Sequence, residues 1–315
     1  TDTLFDIYNK AIIQKQHRKF VYPPQVIFSV QGGIGTHEED EFLHRTYHMK
    51  STGWGTPFLL VPEATTVEEE TLGLLCAAKE EDLLLSRNSP FGIRFHYLKN
   101  TSAEKEKLER IRKGIPGSPC TEKHLAFNTE FTTVPICTAS RKYQKLKIAR
   151  LQSLNLPEPL YKKQLQDVLD KECLCVGLSN SAAIHYNHTF IKNLKAVNIC
   201  PGPNLVNFSK VVSLQTMTDH IYGRKDIIAR TNRPHMFITE LFLYIDYLKE
   251  ELQNDMENGE SNKKQKYYTS FYQNLKDGII YYRNLPGLAK ENRDAFLKAL
   301  EDAGTALTLL SQQLM

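Results

Sequence analysis

Residues 26–64 read VIFSVQGGIGTHEEDEFLHRTYHMKSTGWGTPFLLVPEA, and no other stretch of the chain restricts its fold so strongly. Val26–Val30 is a short apolar, β-branched run of strand type. Gln31-Gly32-Gly33-Ile34-Gly35 follows at once. Thr36 is placed to cap a helix over Glu38–Tyr47, with acidic residues in its first turn. Ser51–Trp54 reads as a second, shorter strand closed by Gly55-Thr56, and Pro57-Phe58-Leu59-Leu60 leads away. Taken alone, the glycines fit plain tight turns. Together, two glycine turns at consecutive strand ends with a helix between them suit an anion. Glycine lets the backbone come close, and the N–H groups at a helix start point at negative charge. In a (β/α)8 barrel the loops after strands 7 and 8 frequently hold a phosphate.

Gly32-Gly33-Ile34, then Gly55-Thr56-Pro57-Phe58-Leu59, then Glu63-Ala64, resemble the C-terminal end of the nitronate monooxygenase family, the former 2-nitropropane dioxygenases. The resemblance covers roughly the first 80 residues. Flavin-dependent enoyl reductases share the pattern. Trp54 stands where the family commonly has a smaller or polar residue, and Pro57 where a basic residue is common. The resemblance implies FMN and a (β/α)8 barrel, of which Val26–Val30 would be strand 7 and Ser51–Trp54 strand 8. It assigns cofactor binding to Gln31, Gly32, Gly33, Ile34, Trp54, Gly55 and Thr56. The backbone N–H groups of Gly32, Gly33 and Gly55, with the Thr56 hydroxyl and N–H, would hold the FMN phosphate. Gln31 and Trp54 at the strand ends would face the cofactor.

The implied activity is an FMN-dependent oxidoreductase in which the flavin oxidises a nitronate, a small-molecule substrate, and is reoxidised by oxygen. The family's histidine base lies earlier in the barrel, so no residue here is named as catalytic, and this portion alone is expected to be inactive. An NAD(P)H-dependent reduction, as in the enoyl reductases, is the alternative chemistry. A helical interaction module without catalysis is the alternative of another class.

Before Val26 there is only a helical stretch, Leu4–Phe20, so six strands of such a barrel are absent. A barrel cannot close with two strands, and their edges would be left unpaired. The expectation is therefore the C-terminal portion of a (β/α)8 barrel followed by a mostly α-helical extension; a natively small α/β domain is the competing reading. Three regions follow: 1–87, the barrel end; 88–232, a mixed, cysteine-containing insertion or lid; 233–315, an antiparallel helical bundle. A formal net charge of +4 over 315 residues is too mild to argue for nucleic acid. No window approaches the ~20 apolar residues of a membrane helix, and no signal peptide is evident, so the expected compartment is cytoplasmic.

Thr66–Arg87 reads as the outer helix after strand 8. Phe91–Tyr97 alternates weakly, and Glu104–Lys113 reads as a charged helix stopped by Gly114. Extended pieces are expected within Lys123–Cys137, and helices over Thr138–Leu154, Tyr161–Asp170, Ser179–His185 and Ser213–Tyr222. Long helices follow over Pro234–Asn254, Lys266–Tyr282 and Ala289–Gln313, separated by a polar linker in Met256–Gln265 and a break at Asn284–Gly287. Their apolar stripes and short connections predict three packed helices, whose aromatic residues would serve as core or as a homo-oligomer surface.

Five of the six cysteines, Cys120, Cys137, Cys173, Cys175 and Cys200, fall in the middle region. Thiolates are the soft ligands that metals and iron–sulfur clusters take. The spacing matches none of the standard ligand runs built on C-x₂-C, so buried free thiols are the favoured reading and no metal site is assigned. His185 and His188 would share a face if the helix ran through both, but lack the glutamate of a metalloprotease box. His220 is placed to act on a helix C-terminus. The chain has no Gly-x-Ser-x-Gly and no P-loop.

Overall fold

A computed structural model describes residues 2–188, 195–230, 232–257, 264–286 and 290–314. The fold is mixed α/β and mostly helical, with only small sheets. No described helix is long and apolar enough to cross a membrane.

Helix α1 (Asp2–Gln14) is followed by strand β1 (Ser29–Gln31), helix α2 (His37–Tyr47) and strand β2 (Ser51–Gly53). The strands pair in parallel, with Ser29 opposite Ser51, Val30 opposite Thr52 and Gln31 opposite Gly53. Parallel neighbours need a crossover, and α2 supplies it. Thr36 caps α2 by accepting from the Glu39 N–H, and His48 ends it in the left-handed conformation.

Two expectations shift here. The helix over Leu4–Phe20 stops at Gln14, and Gln16 adopts a φ of 61°. The strand expected at Val26–Val30 begins at Ser29; Val26, Ile27 and Phe28 are exposed. An apolar β-branched run becomes strand only where a partner and a covering face exist; here the Phe28 carbonyl accepts from the Lys50 N–H at 3.0 Å, and the side chains of Val26, Ile27 and Phe28 stay uncovered.

Helix α3 (Glu69–Ala77) corrects the helix expected over Thr66–Arg87, which ends ten residues early in the chain's numbering. Leu83–Ser86 is instead strand β3, antiparallel to β4 (Phe95–Leu98). A short run such as Leu83-Leu84-Leu85 fits a buried helix turn and a strand equally well, so periodicity alone does not separate them. Helices α4 (Ser102–Arg112), α5 (Arg141–Ser153), α6 (Glu158–Leu169), α7 (Gly177–His185) and α8 (Leu214–Ile221) fall within a few residues of the expected ranges.

Helices α9 (Met236–Glu257), α10 (Gln265–Arg283) and α11 (Lys290–Leu314) pack on one another. Phe237 at the start of α9 stacks on Tyr282 near the end of α10, and Tyr282 meets Phe296 near the start of α11. Tyr268 near the start of α10 donates to Asp255 at the end of α9 at 2.5 Å. These contacts make α10 antiparallel to both neighbours. The linker over 258–263 and the break at Gly287 lie outside the described residues.

The cores do not follow the expected regional boundaries. Ile34, Phe42 and Leu43 of the β1–α2 unit join Phe237, Leu241, Leu275, Leu300 and others of the bundle in one cluster. Leu60, Leu75 and Leu98 join Ile199, Leu205 and Phe208 in a second. Of the bundle's aromatic stripe, Tyr268, Phe271, Tyr272 and Tyr282 pack into the first cluster, while Tyr267 and Tyr281 are exposed.

Candidate functional site

Gly32 and Gly33 turn the chain from β1 toward α2 with φ of +97° and +76°, a backbone that glycine adopts without strain. Gly35 follows, and its N–H donates to Glu39 Oε2 at 2.9 Å. Glu39 is 3% exposed. Its carboxylate also accepts from the Met236 N–H at 2.6 Å and from both terminal nitrogens of Arg233, at 2.6 and 2.8 Å. Arg233 reaches further, to the Gly33 carbonyl at 3.1 Å. A Cβ on Gly35 would lie 2.7 Å from the guanidinium, so this position admits no side chain without moving Arg233. The turn thus carries an anion already, one drawn from the chain itself and held by bidentate, charge-assisted bonds at a helix start. Thr36-x-x-Glu39 has the spacing of a capping box, which is the signal for it in the sequence. Nothing local points to Arg233.

The second bend lies beside the first, because Gln31 pairs with Gly53. Gly55 has an ordinary right-handed backbone (φ −89°, ψ −61°), and its carbonyl accepts from Phe58 N–H at the start of a tight turn over Thr56–Leu60. Thr56 Oγ1 accepts from the Gly202 N–H at 2.8 Å. Gln31 lies over Gly53, where a Cβ would come within 2.5 Å of its side chain. Ile34 is buried, and its carbonyl accepts from Asn204 Nδ2 at 3.1 Å. Trp54 packs against the bundle core and sets its ring edge-on to His220, with Nε1 buried and unpartnered among the described residues. His220 is buried, with Nε2 2.9 Å from the Gly35 carbonyl and Nδ1 3.3 Å from that of Lys225.

All seven residues assigned to the cofactor therefore sit on two adjoining bends. Among the described residues, the N–H groups of Gly33 and Gly55 donate to no other group, and a Cβ on Gly32 or Gly55 would meet nothing within 4 Å. No family model, curated protein or solved structure matches this chain.

A second arrangement lies in the middle region. Ser118 N–H donates to the Ala139 carbonyl at 2.9 Å, and Arg141 N–H to the Ser118 carbonyl at 3.0 Å, pinning the loop that bears Cys120 to the segment that bears Cys137. Gly117, with a φ of +84°, makes the approach possible, since a Cβ there would lie 2.7 Å from the Arg141 backbone. Burial pushes the Cys137 thiol up to about 11 against backbone hydrogen bonding from Ala139; the neighbouring Cys120 and Cys175 add to the rise. Burial pushes Cys173 up to about 12 against a backbone hydrogen bond from Cys175, with Cys175, Cys120 and Cys137 adding to it. All six cysteines are free, and Cys200 is exposed.

The histidine pair is corrected: α7 ends at His185, so His188 does not share a helical face with it. Among the described residues, one group of three His, Cys, Asp or Glu ligand atoms falls mutually within 4.8 Å, on α2: His37, Asp40 and Glu41.

Proposed function

We propose that this chain is the phosphate-binding, C-terminal portion of an FMN-dependent oxidoreductase barrel of the nitronate monooxygenase-like type. One observation carries the reading: β1 and β2 are parallel neighbours joined through α2, so both glycine bends leave the same sheet end side by side. Ligands of open α/β units bind in the crevice beyond the carboxyl ends of the strands. The chemistry of the bends fits a phosphate over part of their length. Gly33, Gly55 and Thr56 offer backbone donors, and space is open above Gly32 and Gly55. The Gly35 amide is excluded, since Glu39 holds it. Arg233 neutralises that carboxylate, so an incoming phosphate meets no net charge there.

The barrel reading is also supported by surface. Leu4, Ile7, Tyr8 and Ile13 of α1 and Val26, Ile27 and Phe28 ahead of β1 are exposed. Further strand–helix units of a barrel would cover such a face and pair the open edges of β1 and β2. Bound flavin would supply the redox chemistry; this chain's residues would hold its phosphate and fix its orientation.

The test is a titration of the chain with FMN and with riboflavin, followed by flavin fluorescence. FMN is expected to bind at least about tenfold more tightly than riboflavin, because charge-assisted bonds reach only the phosphate. Gly55→Asp should erase that preference and leave the fold intact, since the position has ordinary φ and open space. Equal affinity for both flavins, or an unchanged preference in Gly55→Asp, would overturn the reading.

A further inference from the structure

Helix α2 begins at His37, and Asp40 and Glu41 follow three and four positions on, so one face of its first two turns carries an imidazole and two carboxylates. A ring nitrogen of His37 and one carboxylate oxygen each of Asp40 and Glu41 lie mutually within 4.8 Å. Elements remote in the sequence set two of the three. His37 Nδ1 donates to the carbonyl of Ile221, at the end of α8, at 2.9 Å. A carbonyl only accepts, so this bond fixes the tautomer and leaves the ring's lone pair on Nε2. Gly223 gives the imidazole its room, since a Cβ there would lie 2.4 Å from the ring. Asp40 is 8% exposed. Thr52 of β2 donates to its Oδ1 at 2.5 Å, and His44 Nε2 stands 3.6 Å from its Oδ2. His44 Nδ1 is committed to the Met49 carbonyl at 2.7 Å, so a neutral His44 turns a lone pair toward that carboxylate, an arrangement that calls for a cation between them. The Glu41 carboxylate is exposed and, among the described residues, takes part in no hydrogen bond or ion pair.

We propose that His37, Asp40 and Glu41 bind a divalent transition-metal ion of the zinc type. An imidazole nitrogen with two carboxylate oxygens is a donor set such ions take, whereas magnesium and calcium prefer oxygen alone. Nitrogen and oxygen ligands ~2.1 Å from tetrahedral zinc stand about 3.4 Å apart. Three donors within 4.8 Å reach that spacing by small side-chain rotations, the largest of them open to the exposed Glu41. Three protein ligands leave a fourth position for water. The outer contacts are already made: the Ile221 carbonyl on the imidazole and the Thr52 hydroxyl on the Asp40 carboxylate, the kinds of partner that orient metal ligands. Because Ile221 belongs to α8 and Thr52 to β2, an ion held here also strengthens the contact of α2 with both, and its binding adds to the stability of the fold. None of these residues belongs to the bends assigned to FMN, so the site stands apart from the flavin reading.

The experiment is calorimetric titration of the full chain, stripped of metal by a chelator, with zinc and in parallel with magnesium; cobalt replaces zinc for an absorption spectrum. About one zinc per chain is expected, with a rise in melting temperature on its addition and no competition from magnesium. The cobalt spectrum should lack the charge-transfer band of thiolate ligation, which separates this site from the six free cysteines. His37→Ala and Glu41→Gln should each weaken zinc binding at least about tenfold, and Gly223→Ala, which displaces the imidazole without removing a ligand, should weaken it about tenfold. Glu41→Gln keeps the test clear of folding defects, since that side chain is exposed and holds no other group in place; far-ultraviolet circular dichroism of the apo variant should match the wild type. Absence of zinc binding by the wild-type chain, unchanged affinity in Glu41→Gln, magnesium bound as tightly as zinc, or a thiolate band in the cobalt spectrum would overturn the proposal.

Discussion

The glycine bends of the β1–α2–β2 unit and the cysteine loops around α5 are both places where irregular backbone is held tightly, yet they are closed in opposite ways. At the bends the strongest electrostatic demand is met from within: Glu39 fills the Gly35 amide and neutralises Arg233. Two amides are left over, at Gly33 and Gly55. At the cysteine loops the supporting bonds come from neutral donors: the N–H groups of Ser118 and Arg141 and the side-chain amides of Gln144 and Asn198. A turn that completes its own charge pair is first a joint between parts of the fold. The cysteine loops are a joint of a second kind, tied by neutral amides instead of an ion pair.

The largest effect should come from breaking that joint. Glu39→Ala leaves the Arg233 side chain, 9% exposed, without its carboxylate, and strips acceptors from the Gly35 and Met236 amides. Removing one partner of a buried pair costs about 3–5 kcal/mol. Urea denaturation should show the midpoint falling with an unchanged slope. The pair Glu39→Leu with Arg233→Met should recover much of the loss, since a buried ion pair is readily replaced by apolar volume. A cost below about 1 kcal/mol for Glu39→Ala would mean that the bend is not a joint at all, and the contrast with the cysteine loops would fail.

The same contrast explains what was legible in the sequence. The βαβ order, both glycine turns and the Thr36 cap lie within one contiguous stretch and follow from local rules. The three long helices follow from stripes near period 3.6. What escaped was long-range. Glu39 gave a capping-box signal, but Arg233 lies far along the chain with nothing around it to mark a partner. The segments that carry Cys120, Cys137 and Cys173 are joined through Ser118 and Gln144, bonds that no local spacing announces. Leu83–Leu85 reads as helix in the sequence because a short apolar run carries no period of its own; its hairpin partner decides it. Val26–Phe28 departs in the other direction, a strand pattern whose side chains stay exposed and whose pairing stops at the Lys50 bond to the Phe28 carbonyl.

A smaller effect is expected on the cysteine side. Gly177→Ala drives a Cβ into Asn198 Oδ1 and must displace the side chain that holds the Cys173 carbonyl and Glu172. Overpacking of this kind costs about 1–3 kcal/mol. The urea midpoint should fall with an unchanged slope. An unchanged midpoint would mean that Asn198 moves aside without loss and does not tie the Cys173 segment in place.

The smallest effect is a pH dependence confined to the glycine-bend side. His235, next to Met236 at the start of α9, has its pKa lowered chiefly by burial; Glu39 opposes the shift and Arg233 adds to it. Its Nδ1 accepts from the Phe237 N–H at 3.2 Å, and its ring meets Phe42, Phe237 and Phe296. Protonation would cost that acceptor and place a charge among aromatic rings. Because the folded pKa lies below that of the unfolded chain, the unfolded state takes up the proton first. The neutral imidazole's contribution is therefore intact above ~6.5 and is lost as pH falls toward the folded value. The slope from this one group stays below ~1.4 kcal/mol per pH unit. Urea midpoints measured from pH 8 to pH 5 should decline below about 6.5, and His235→Gln should flatten part of that decline while leaving the contribution of His96, lowered by burial and Arg94, in place. An undiminished slope in His235→Gln would assign the acid sensitivity to the β3–β4 hairpin instead, and would leave the joint at Glu39 and Arg233 indifferent to pH across this range.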